Sequence, residues 1–160
     1  MVSKSKAQTQ NLAAKLVKKI LNSKRLMLNA TVVALRGDLG AGKTTFTQGF
    51  MKALGVKQRV TSPTFLIVRK YEISTPLAGQ TLRKGSPHFH HAYHFDLYRI
   101  QKPKEILDLG FKDIISDPHN ILLIEWPERI KKILPKNTIW INFEHGKNEK
   151  ERSVKVIGGQ

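Results

Sequence analysis

Residues 30–55, ATVVALRGDLGAGKTTFTQGFMKALG, decide the fold. The opening, 30–37, is a β-branched run ending in glycine and predicts a buried strand. The closing part, 43–55, predicts a helix with Gly55 at its end. Between them, Gly37-x-x-x-x-Gly42-Lys43-Thr44 matches the phosphate-binding loop, in the strand-before, helix-after context that gives this pattern meaning. Each residue type has a physical job. Glycines let backbone N–H groups curl around a polyphosphate with no Cβ in the way. The helix N-terminus adds its dipole and unpaired donors. Lys43 can reach the β- and γ-phosphates, Thr44 can offer a hydroxyl to Mg²⁺, and Thr45 can reach a phosphate near the helix start. The nucleotide-contacting set is therefore Asp38, Leu39, Gly40, Ala41, Gly42, Lys43, Thr44 and Thr45. The pattern is silent on the reaction.

A nucleotide loop of this kind needs an acid at the end of a buried strand to help hold Mg²⁺. ILLIE, 121–125, supplies Glu125 after four large apolar residues; a structural ion pair is the alternative use of that acid. The guanine-reading Asn-Lys-x-Asp is absent, which favours ATP. A third requirement is a group that senses the γ-phosphate and positions water. TSPTF, 61–65, places Thr64 about 20 residues after Thr44, where a switch segment could reach the metal; a plain turn leading into a strand is the alternative. HFDLYR, 94–99, supplies Asp96 and Arg99, although an isolated loop aspartate is more often a cap or turn residue.

The rest of the chain alternates helix and strand signals. Residues 9–22 place apolar residues at helical spacing with Lys15, Lys18 and Lys19 mainly on the other side, an amphipathic helix. Residues 64–73 predict a strand. Residues 74–93 predict a long loop, with a strand at the end of 74–95 as the alternative. Residues 103–116 predict a helix broken near Gly110, 120–126 a buried strand, and 127–134 a short helix with Pro127 in its first turn. Residues 137–144 and 152–158 predict an antiparallel hairpin. Together these predict one domain over 1–160: a three-layer α/β/α fold with a mixed sheet and a C-terminal hairpin.

The chain has 160 residues, enough for one domain with a real core. It has no cysteine, which excludes a disulfide scaffold, a thiol nucleophile and Cys-ligated metal centres. No apolar run approaches the roughly 20 residues needed to span a bilayer, and the basic N-terminus has no apolar signal-peptide core. Cytoplasm is the expected compartment. The 28 Lys and Arg against 12 Asp and Glu give a net charge of +16. A field of that sign attracts polyanions, nucleic acid above all; a solvated basic surface is the bland alternative. No fingerprint of a dedicated nucleic-acid module accompanies it. The tract HFHHAYH, with His88, His90, His91 and His94, could hold a transition metal but lacks helical His-Glu-x-x-His spacing; an exposed loop is the simpler expectation.

In order and at these spacings, GDLGAGKTTFTQGF, SPTF, HFDLYR and IEWPER resemble the bacterial TsaE (YjeE) family, closely over about 30–130. Its members are small P-loop ATPases of tRNA threonylcarbamoyladenosine formation. The resemblance implies ATP hydrolysis that supports threonylcarbamoyl transfer to the adenosine 3′ of the anticodon in ANN-decoding tRNAs. The transfer itself would belong to the partner pair TsaD and TsaB, which this chain would reset for turnover. On matching positions the resemblance implies Lys43 on phosphates, Thr44 and Glu125 on Mg²⁺, Thr64 in a switch-like segment, Asp96 as a catalytic or water- and metal-organising acid, and Trp126 beside the nucleotide. Three features depart from the family pattern. The stretch between Tyr71 and His94 is long, the N-terminal helix has no clear strand before it, and the chain is strongly basic, which leaves open direct contact with tRNA. A small-molecule P-loop kinase is the rival reading; Arg83 and Lys84 could imitate its lid, but no acceptor signature is visible.

Overall fold

The computed structural model describes residues 1–23, 28–63, 65–74, 88–146 and 151–158. Its strands are β1 (Val2–Ser3), β2 (Thr31–Arg36), β3 (Val68–Glu72), β4 (His91–Asp96), β5 (Asn120–Glu125), β6 (Ile139–His145) and β7 (Arg152–Ile157). Its helices are α1 (Lys6–Leu21), α2 (Lys43–Ala53), α3 (Pro103–Leu107) and α4 (Phe111–Ser116), with a 3₁₀ helix over Pro127–Ile133. The strands form one sheet in the order β1-β7-β6-β2-β5-β4-β3. β6, β2, β5 and β4 run parallel, and the antiparallel pairs β3–β4, β6–β7 and β7–β1 close its two flanks.

Strand parity sorts the core into two layers. Val33 and Leu35 of β2 and Leu123 of β5 pack with Leu16 and Val17 of α1 and Phe46 and Phe50 of α2. Val32 and Leu122, on the opposite face, pack with Ile106, Phe111 and Ile130. The predicted α/β/α sandwich with a mixed sheet and terminal hairpin is therefore observed. β5 sits centrally with all six residues buried, which is why NILLIE reads as a continuous apolar run with no alternation. No helix among the described residues is long and apolar enough to cross a membrane.

Several boundaries differ from the sequence reading, each for a local reason. The N-terminal helix starts at Lys6 and not at 9, because Ser5 caps it: its hydroxyl accepts the Gln8 N–H at 3.2 Å. A strand does precede it, β1, too short at two residues to show a period. β3 begins at Val68 rather than 64, because Ile67 turns to φ +66 and its N–H bonds the Pro63 carbonyl at 2.7 Å. β4 takes His91–Asp96, so the predicted loop 74–93 ends earlier; its residues 75–87, with Arg83 and Lys84, lie outside the described residues. Residues 103–116 divide at Gly110 into α3 and α4.

α1 and α2 lie together on one face of the sheet, and at Gly49 their backbones come close. A Cβ there would sit 2.5 Å from the Gln10 Cα and 2.9 Å from its carbonyl oxygen. The obstacle is backbone, so no rotamer change relieves it. Gly49→Ala is expected to destabilise the protein by about 1–3 kcal/mol through overpacking, despite alanine's better helix propensity. That lowers the melting temperature by roughly 2–4 °C per kcal/mol at this size. A melting temperature at or above wild type would refute this account of the helix pair.

Candidate functional site

β4 and β5 end in register, with Asp96 opposite Glu125. Side chains alternate along strands, so Glu125 shares the face of Ile121 and Leu123, and Asp96 shares the face of Ala92 and His94. That face looks toward α1 and α2. The loop 37–42 leaves β2, which neighbours β5, and enters α2 through Gly42, whose φ of +100 only glycine adopts at little cost. Two acids, a phosphate-type loop and a helix N-terminus therefore converge on the C-terminal edge of the parallel strands.

Lys43 is buried. Its Nζ donates to the carbonyls of Gly37 at 2.6 Å and Asp38 at 2.9 Å, and lies 4.2 Å from the centre of the Trp126 ring. Burial pulls its ammonium below the usual lysine pKa; the charges of Glu125, Asp96, Glu128 and Asp38, in falling order, oppose the shift. Thr44 Oγ1 donates toward Glu125 Oε1 at 3.2 Å and Oε2 at 3.3 Å. Glu125 Oε1 also faces His94 Nε2 at 2.9 Å. His94 is wholly buried, and its Nδ1 has no partner among the described residues. A buried N–H without an acceptor costs more than a bare lone pair, so the network assigns the proton to Nε2, which donates to the carboxylate. Asp96 Oδ2 accepts the Ser62 hydroxyl at 2.7 Å, and Oδ1 accepts the Tyr98 N–H at 3.2 Å.

These groups border a cleft of about 440 Å³. The loop with Thr44 and Thr45 forms one wall, and Ser62, Asp96, Tyr98, Glu125 and Trp126 form the other. A second cavity of about 400 Å³ adjoins it behind Gly40, Gly42 and Thr45, bounded by Lys4, Ser5, Lys6, Thr9 and Arg152. Trp126 carries left-handed backbone, φ +60 and ψ +47, directly before Pro127. Both the bulky side chain and the following proline disfavour that conformation, so it is held by its surroundings. The Tyr98 ring, 5.2 Å from the Trp126 ring, and the Lys43 ammonium are among them.

Most residues singled out in the sequence meet here: Leu39, Gly40, Gly42, Lys43, Thr44, Thr45, Asp96, Glu125 and Trp126 all line the cleft. Asp38 is exposed and contributes its carbonyl to Lys43. The Ala41 side chain is buried in the core. Thr64 lies outside the described residues. The expectation of an exposed histidine loop is corrected at two positions: His91 belongs to β4, and His94 is in the interior against Glu125. Sequence reasoning missed His94, Ser62 and Tyr98. The period-two row Ala92, His94, Asp96 was the available signal for His94.

The donors suit a polyphosphate with a hard divalent cation. Thr44 and Glu125 are the residues that could hold such a cation, since both offer oxygen donors of the kind Mg²⁺ takes. Among the described residues no three His, Asp or Glu side chains converge on a metal position.

Comparison with known proteins identifies the family. The family model described as threonylcarbamoyl adenosine biosynthesis protein TsaE matches residues 3–154. Proteins named tRNA threonylcarbamoyladenosine biosynthesis protein TsaE are among the relatives. That of Haemophilus influenzae is 38% identical over 128 residues, covering 80% of this chain and 70% of the relative. That of Bacillus subtilis is 35% identical over 131 residues, covering 81% and 72%. That of Rickettsia prowazekii is 36% identical over 147 residues, covering 91% and 86%. The crystal structure of Bacillus subtilis YdiB superposes with a TM-score of 0.63 at 24% identity, covering all of this chain and 84% of that one, a likeness of fold. With a family model spanning nearly its whole length and relatives above 30% identity, the chain belongs to the TsaE family.

Proposed function

We propose that this protein binds ATP with Mg²⁺, hydrolyses it, and thereby supports threonylcarbamoylation of the adenosine 3′ of the anticodon in ANN-decoding tRNAs. The observation that carries the reading is the convergence of Lys43, Thr44, Asp96 and Glu125 on one cleft beside a phosphate-type loop. The role in tRNA modification follows its TsaE relatives, which are named for that pathway.

Lys43 binds phosphate oxygens, and the backbone N–H groups of residues 38–42 and the start of α2 surround them. Thr45 stands at the helix start to reach the same oxygens. Thr44 and Glu125 hold Mg²⁺, whose chemistry when bound is to neutralise charge developing on the phosphates. His94 fixes the rotation of the Glu125 carboxylate by holding Oε1, a positioning role of the kind that outer partners play at metal sites. Asp96, oriented by Ser62 and the Tyr98 N–H, holds the attacking water or the metal's water shell. Thr64 belongs to the segment that senses the γ-phosphate. Trp126 walls the nucleotide.

The chain works in the cytoplasm with TsaD and TsaB homologues, which complete the site. Exposed apolar side chains support docking there: Leu39, 77% exposed, and Tyr98, 49% exposed, line the cleft, and beside Tyr98 in sequence the Arg99 guanidinium lies over Phe65, 83% exposed, at 4.5 Å. Hydrolysis by the isolated chain is slow, because no arginine among the described residues lines the cleft. The deciding experiment is phosphate release by this chain alone and with the TsaD–TsaB pair and tRNA. Acceleration by the complete mixture is expected. Rapid phosphate transfer to a small metabolite, indifferent to the pair, would replace this reading with a kinase.

A further inference from the structure

Asp38 is the only acidic residue in the first 71 positions. In the fold, that bias becomes a surface. Neither α1 nor α2 contains an acid, and the chain from 54 to 63 adds none. Lys15, Lys18 and Lys19 on α1, Lys52 on α2, and Lys57 and Arg59 just beyond it are all exposed. None makes an ion pair among the described residues, whereas pairs form elsewhere, such as Arg36–Glu128 and Lys70–Glu72. The helix layer on the other face of the sheet is mixed: Glu105, Asp108 and Asp113 stand among Lys104 and Lys112. The excess charge is thus concentrated on one side.

The two helices run in the same direction. Ser5 and Lys6, at the start of α1, border the cavity behind Gly40 and Gly42, and α2 itself begins at that loop. Their basic residues therefore lie toward the far end; Lys52 is about 14 Å along the helix from Lys43. Lys18, Lys19 and Lys52 complement helix C-termini, an ordinary local role. Lys15, Lys57 and Arg59 lie outside those last turns and have no such reason. Unrelieved like charge on a packed helix pair costs stability, and glutamates at i±4 would relieve it.

The chemistry of the face selects its partner. Ala13, Leu16, Val17 and Ile20 of α1 are buried against α2 and the sheet, and the half-buried Leu12 and Leu21 pack against the same core, so no large apolar side chain of α1 stands free to insert into a bilayer. None of the large exposed apolar side chains comes from α1 or α2. A protein interface needs apolar or aromatic anchors and is depleted in lysine. Spaced lysines without anchors suit a phosphodiester backbone. We infer that the outer face of α1 and α2, remote from the nucleotide cleft, is an RNA-backbone docking surface. The inference rests on the tRNA-modification reading only for its choice of RNA.

The test is tRNA binding by the full chain across about 50–200 mM salt. It compares wild type with a Lys15→Gln, Lys18→Gln, Lys52→Gln variant and a control, Lys104→Gln, Lys112→Gln, Lys131→Gln, on the other face. Glutamine keeps helix propensity, so all three should fold. Log–log salt dependence is expected to flatten by about three in the first variant, one per lost phosphate contact, and to stay unchanged in the control. Absent tRNA binding, or equal flattening in both variants, overturns the inference. So does equal or tighter binding of poly-glutamate, which would assign the face to an acidic protein, or of phosphatidylcholine–phosphatidylserine vesicles. MgATP affinity is measured alongside. If tRNA binding depends on the face while MgATP fails to bind, the proposed function falls and this inference stands. If MgATP binds and drives modification while tRNA ignores the face, the reverse holds.

Discussion

Lys43→Ala is expected to weaken MgATP binding by about 2–5 kcal/mol, roughly thirty- to several-thousand-fold, with little loss of stability. The binding loss is large because the ammonium is a buried charge at the mouth of a helix N-terminus, where polyphosphate charge has no other side-chain cation in the loop to meet it. The stability loss is small because the change also removes a desolvated charge. The carbonyls of Gly37 and Asp38 that lose a donor can turn to water, since Asp38 is exposed. Titration calorimetry with MgATP, and a melting curve without it, separate the two effects. Wild-type affinity in a folded variant would remove Lys43 from the site and with it the proposed energy coupling.

Glu125→Gln is expected to abolish most of the Mg²⁺ dependence of nucleotide binding while leaving binding in EDTA unchanged. Glutamine keeps the shape, and its amide oxygen can still accept from His94 Nε2, so the fold should survive. What disappears is the negative charge that the proposed function gives to the cation beside Thr44, whose hydroxyl donates to the same carboxylate. The loss should be at least as great as the roughly 10–100-fold typical of removing an outer partner of a metal ligand. His94→Ala supplies that smaller comparison, since it frees the carboxylate but retains its charge. Retained Mg²⁺ dependence in the glutamine variant would leave Glu125 with only a structural bond to His94.

The loop, its flanking strand and helix, and Glu125 at the end of ILLIE were readable because each depends on local chemistry: glycine backbone freedom, helix start, and an acid closing an apolar run. The layers were readable because β2 and β5 are buried on both faces. The partnership of His94 with Glu125 was not, because it crosses between neighbouring strands 31 positions apart, and the surrounding histidines suggested a loop. Ser62 was hidden for the same reason, since its bond to Asp96 spans 34 positions. β1 was invisible because two residues have no period. The basic bias was plain in the sequence, but only the pairing of α1 with α2 shows that the helices of this acid-poor stretch come together on one side of the protein.

The surroundings of the Lys43 ammonium carry a consequence for how the cleft works. An ammonium has three N–H bonds to give. Two are taken by the carbonyls of Gly37 and Asp38, and the Trp126 ring faces the group from 4.2 Å. A phosphate oxygen must therefore compete with the indole, or with the loop itself, for the remaining direction. The indole in turn sits on a left-handed residue that costs on the order of 1–3 kcal/mol to maintain. Lys43 thus joins two events: charge arriving at the loop, and the grip on the backbone where β5 leaves the sheet. Through Tyr98, whose ring lies tilted against the same indole, that grip extends to the chain beyond Asp96. The lysine is a counter-ion and also the pin of a small clasp.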